Sequence, residues 1–101
     1  MALLLTKQTN TTPILIKGSN IELDSLYVRI VFICNLDGSL TVTYNTYLNH
    51  DLFLEGKTID TDVKNTTYNF VISETETQSL ETALNYMWQV FTDLGYNTTI
   101  I

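Results

Sequence analysis

The groups that could do chemistry in this 101-residue chain are one histidine, one cysteine, five serines and eleven carboxylates. His50, Asp51 and Glu55 are the nearest approach to a metal or acid–base cluster. Their spacing matches no ligand motif, and there is no second histidine or cysteine to complete a transition-metal site. Asp60 and Asp62 form an Asp-x-Asp pair of hard oxygen ligands. A calcium loop would add a glycine at its sixth position and a closing glutamate at its twelfth, and neither is in register. Cys34 lies sixteen positions from His50 and has no second thiol for a disulfide, so it reads as a small core-facing hydrophobe near a strand end. Ser19, Ser25, Ser39, Ser73 and Ser79 sit in no nucleophile-elbow pattern. Gly18, Gly38, Gly56 and Gly95 stand singly, where turns or caps need them, and build no phosphate-cradling loop. The expectation is a protein without catalytic residues, cofactor or metal.

Charge narrows the partners. The net charge is −6 and the pI about 4.3, while Lys7, Lys17, Arg29, Lys57 and Lys64 are scattered. Binding to phosphate backbones draws on clustered Lys and Arg, so direct nucleic-acid binding is not expected, nor is docking on anionic membranes. Met1 to Leu5 is too short for a signal-peptide apolar region, no run reaches the length of a membrane span, and a cytoplasmic site of synthesis follows. Asn10, Asn65 and Asn97 each open an Asn-x-Thr triplet, which carries weight only in a secretory pathway.

The elements that must position these groups come from periodicity. With 45% hydrophobic and 16% charged residues the chain is expected to fold, as a single domain over 1–101. Its centre is a hairpin over 21–49, two alternating runs flanking Asn35-Leu36-Asp37-Gly38, where Asp-Gly is a strong turn signal. Leu26, Val28, Ile30, Phe32 and Cys34 form one uniformly apolar row. Leu23, Ser25, Tyr27, Arg29, Val31 and Ile33 form the other, with more apolar surface than a solvated face needs; cover by another element or subunit is expected. In the second arm Leu40, Val42, Tyr44, Thr46 and Leu48 point inward, while Thr41, Thr43, Asn45, Tyr47 and Asn49 make a polar outer face.

Around the hairpin, Ala2–Thr6 and Pro13–Ile16 predict two short edge strands on either side of a polar loop. Residues 50–66 predict a long irregular connection anchored by Leu52, Phe53 or Leu54, and 67–73 a last strand. A helix over about 76–94 follows from Leu80, Ala83, Leu84, Met87, Trp88, Phe91 and Leu94 at three- and four-residue steps. Ser73 and Glu76 have capping-box spacing, with acidic Glu74 beside them, and Gly95 suits a left-handed cap. The fold class predicted is α+β: an antiparallel sheet on the central hairpin, with one C-terminal amphipathic helix packed on one face. The tail Asn97–Ile101 is expected to return as a short strand or dock on a neighbouring chain.

The stretches KGSNIELDSLYVRIVF (17–32), DGSLTVTYNTYLN (37–49) and QSLETALNYMWQVFTDLGY (78–96) together resemble small virion structural proteins of tailed bacteriophages, which are short, acidic and β-rich. The resemblance is one of general pattern and transfers no functional residue. It implies a non-enzymatic protein located in the virion, working by repeated contacts with itself and with other virion proteins in a tail, collar or neck, baseplate or capsid decoration. The residues agree: apolar Leu3, Leu4, Leu5, Ile100 and Ile101 at the ends, with Tyr27, Tyr47 and Tyr86 as aromatics that suit either the core or an interface, fit a homo-oligomer built by strand addition. A small acidic accessory or inhibitor module that binds one protein partner is the alternative.

Overall fold

A computed structural model describes residues 2–6, 14–61, 67–73 and 75–101. Five strands form an antiparallel sheet: β1 (Leu3–Thr6), β4 (Ser25–Cys34), β5 (Leu40–Tyr47), β6 (Tyr68–Phe70) and β7 (Asn97–Ile100), in the order β6-β5-β4-β1-β7. Two short strands, β2 (Ile14–Leu15) and β3 (Glu22–Leu23), pair in a separate ribbon. Among the described residues there are two helices, α1 (His50–Leu54) and the C-terminal α2 (Leu80–Asp93). The loop Lys7–Thr12, Pro13, Asp62 and Glu74, each given a role above, lie outside the described residues.

The β4–β5 register sets Ile30 opposite Tyr44, Phe32 opposite Val42 and Cys34 opposite Leu40. β1 adds Leu3 opposite Val28 and Leu5 opposite Leu26. These residues share one face of the sheet because side chains alternate along a strand. All but Cys34 cluster with Ala83, Leu84, Met87 and Phe91 of α2 and with Ile14 and Tyr96 in one hydrophobic core. Tyr44 meets Phe91 edge-to-face at 5.1 Å.

The turn between β4 and β5 explains its own sequence. Asp37 accepts hydrogen bonds from the Ser39 amide (3.0 Å) and hydroxyl (2.6 Å), and Gly38 takes φ +90°, which other residues rarely adopt. Gln78, just ahead of α2, donates from its amide nitrogen to the carbonyls of Asn35 and Ser39, each at 2.8 Å. The helix entry is thereby tied to the hairpin tip.

Several expectations are corrected. The first hairpin arm does not run unbroken from Ile21: the chain leaves the β3 ribbon and enters the main sheet only at Ser25. β1 is not an edge strand; it lies between β4 and β7. Residues 50–54 are helical, because Asn49 caps them by accepting from the Leu52 amide at 2.9 Å. α2 begins at Leu80, with Ser79 as N-cap accepting from the Thr82 amide at 3.3 Å. Ser73 and Glu76 do bond, carboxylate to Ser73 amide at 3.1 Å, but they close a separate turn ahead of the helix. Cys34 is exposed, its thiol 3.7 Å from the Gln78 carbonyl, although Leu40 opposite it is fully buried. Trp88 and Leu94 are 37% and 44% exposed; Trp88 sits about 100° around the helix from Met87, and Leu94 is the C-cap beyond the last turn.

Among the described residues two buried polar atoms, Tyr44 Oη and Thr92 Oγ1, have no hydrogen-bond partner. Burial above all, then the neighbouring Tyr68 and Tyr96, pushes the Tyr44 phenol well above its ordinary range. Its hydroxyl contributes cost without a compensating bond. Tyr44→Phe should therefore raise stability in urea unfolding, by roughly 1 kcal/mol, whereas Phe91→Ala should lower it by about 3–5 kcal/mol.

Candidate functional site: the outer sheet face and its open edges

The face of the sheet away from the main core divides into a covered half and an open half. On the covered half, Tyr27 and Tyr47 stand opposite each other across β4 and β5 and are buried with Ala2. Phe53 of α1 covers them, at ring distances of 5.7 Å from Tyr27 and 5.1 Å from Tyr47. His50 meets the Tyr27 ring at 5.6 Å, and the Arg29 guanidinium lies 4.4 Å from the centre of the Phe53 ring. Aromatic edge contacts and a cation over a ring each add modest stability beyond burial. Tyr47, expected on a solvated face, is inside for this reason.

Beyond Arg29 the cover ends. Val31 and Ile33 are 50% and 60% exposed, paired across the sheet with Thr43 and Thr41. The polar neighbours are bonded to one another: Asn35 donates to Thr41 Oγ1 at 2.9 Å, and Thr41 donates to Asn69 at 2.7 Å. This half of the face presents apolar side chains and self-satisfied amides and hydroxyls, with no charged residue in either strand row.

The same stretch has a backbone consequence. The β1 register ends with Leu3 opposite Val28, so among the described residues β4 beyond that point has a strand neighbour only on the β5 side. The Asn35 amide bonds to the Ser39 carbonyl at 3.0 Å. Antiparallel bonding alternates residue by residue, so Val31 and Ile33 bond toward β5, and the backbone groups of Ile30 and Phe32 turn toward the unpaired side.

The interface candidates are distributed unevenly over this frame. Leu3 and Leu5 are fully buried in the main core, and Tyr27 and Tyr47 are buried under α1. Ile100 is half-buried against the main core, and Leu4 is half-buried in β1. Ile101 is 53% exposed. Tyr86 stacks on Phe70 at 4.9 Å and donates to Glu76 at 2.7 Å. Val31 and Ile33 were legible only as an apolar surplus on the outer row.

His50, Asp51 and Glu55 do not converge on a site: His50 packs on the tyrosine cluster, and Glu55 pairs with Lys57 at 3.7 Å in solvent. Among the described residues no three His, Cys, Asp or Glu side chains gather where a metal ion could be held, and no helix is long and apolar enough to cross a membrane. One shallow depression of about 260 Å³ lies beside Glu76, Asn85, Tyr86 and Gln89. No family model, curated protein or solved structure matches the chain.

The Glu76 carboxyl is held below its ordinary range by the Tyr86 hydroxyl first and the Ser73 amide second. A carboxyl with a depressed folded-state pKa contributes stability that is present above its unfolded pKa and is lost as pH falls through the folded value. Tyr86→Phe removes the larger cause. The Glu76 titration followed by NMR should then move up, and the variant should lose stability at less acidic pH than the wild type; an unmoved Glu76 titration would contradict the assigned bond.

Proposed function

We propose that this chain is a non-enzymatic structural or assembly protein that works through repeated subunit contacts, as a virion component of a tailed bacteriophage particle. The carrying observation is the coincidence of exposed Val31 and Ile33 with a backbone at Ile30 and Phe32 that, among the described residues, has no strand neighbour on one side. Strand addition needs both features: backbone groups supply affinity, and alternate side chains supply specificity. On this reading the β4–β5 hairpin is the platform, α2 closes its inner face, and the open outer half receives another subunit. The partner is a second copy or another virion protein, in a tail, neck, baseplate or capsid assembly. The particle setting follows from the resemblance of the three sequence stretches and from acidic, β-rich composition.

A second reading, a small acidic module that binds one basic protein, is favoured by the charge of −6. The two differ in salt response, because contacts between exposed charges are screened and apolar contacts are not.

Light scattering across concentration and salt tests the proposal. A discrete oligomer that survives high salt is expected, and Ile33→Lys should dissociate it toward monomer without unfolding the chain. A strict monomer at all concentrations that also fails to bind particle components would sink the assembly reading, and an association that collapses in salt would favour the acidic module.

A further inference from the structure

Among the described residues β7 is the end strand of the sheet on its side, and an end strand offers its outward backbone groups to any passing strand. The direction of those groups follows from one pair. Ala2 and Ile101 exchange both backbone hydrogen bonds, at 2.9 Å each way. By antiparallel alternation Thr99 and Asn97 also bond toward β1, and the N–H and C=O of Thr98 and Ile100 turn toward the open edge. Asn97-Thr98-Thr99-Ile100 carries neither a charge nor a proline, the two commonest deterrents against edge pairing. A second copy could pair with it about a two-fold axis, setting Thr98 opposite Ile100 and Thr99 opposite its own counterpart.

One side chain occupies that edge. Trp88 stands at the margin of the apolar stripe of α2, and its indole N–H donates to the Thr98 carbonyl at 2.8 Å. The ring is 37% exposed, so it projects from the helix over the strand without being part of the main core. An indole already bonded to that carbonyl competes with the amide an incoming strand must place there, and its bulk beside the strand hinders that approach.

We propose that Trp88 is an edge guard: it closes β7 to strand addition by a second copy of this chain and leaves other surfaces to direct assembly. The inference does not depend on the function proposed above. Its readout is the change in mass relative to wild type at equal concentration, whether the wild type is a monomer or a closed oligomer.

The test replaces Trp88 by residues of similar apolar character that lack the donor, Trp88→Phe and Trp88→Leu. Retention of fold is checked by circular dichroism, and mass by light scattering. The folded variant is expected at twice the wild-type mass at the same concentration. Adding Thr99→Lys, which sets like charges opposite each other across the two-fold axis, should return it to the wild-type value. A folded variant with unchanged mass overturns the proposal. So does a doubled mass that Thr99→Lys leaves in place, since the new contact would then lie elsewhere.

Discussion

The fold depends on the insertion of β1 between β4 and β7. Four residues, Leu3 to Thr6, are paired along both of their backbone edges, and Leu3 and Leu5 lie with no exposed surface in the main core. Without β1 the C-terminal strand would have no partner, and α2 would lose part of the floor under Leu84, Met87 and Phe91. Full burial of each leucine contributes about 1.5–3 kcal/mol relative to exposure. In a domain whose net stability is about 5–15 kcal/mol, two such residues are a large fraction.

The shortness of β1 is also what shapes the surface. It accompanies β4 through Val28 and then stops, while β4 continues to Cys34. The covered and open halves of the outer face divide near the same point, because α1 reaches as far as Arg29 and no farther. Apolar side chains and unpaired backbone therefore coincide on one stretch of one strand. At the far edge of the sheet the backbone is also exposed, but there an indole covers it. The two stretches differ in what lies against them: among the described residues no strand flanks β4 beyond Val28 on that side, whereas the Trp88 indole bonds the Thr98 carbonyl of β7.

Much of this was legible where the physics is local. Alternation marks β4 and β5, Asp37-Gly38 marks their turn, and three- and four-residue spacing marks α2, since each signal is written within about ten residues of its cause. The position of β1 was not legible: pairing of Leu3 with both Val28 and Ile100 is set by contacts distant in sequence, and a four-residue apolar run reads equally well as an edge strand. α1 is five residues long and too short for periodicity to declare, although Asn49 three residues ahead of Leu52 is the signal that could have found it. The burial of Tyr27 and Tyr47 follows from α1, so without that helix the sequence leaves both open between core and interface. Cys34 shares the parity of the inner row, but parity alone does not set how far a side chain near a strand end is covered. Trp88 was counted with the apolar stripe because its type suits a core; its role at Thr98 depends on a tertiary contact.

Whether β4 beyond Val28 accepts a strand is tested by hydrogen exchange of the Ile30 and Phe32 amides in dilute and in concentrated protein. These amides should exchange quickly when the chain is dilute and become protected as it assembles, with the Val31 and Ile33 amides protected throughout by β5. Equal exchange of Ile30 and Phe32 at every concentration, in protein that does assemble, would contradict the account and place the subunit contact elsewhere.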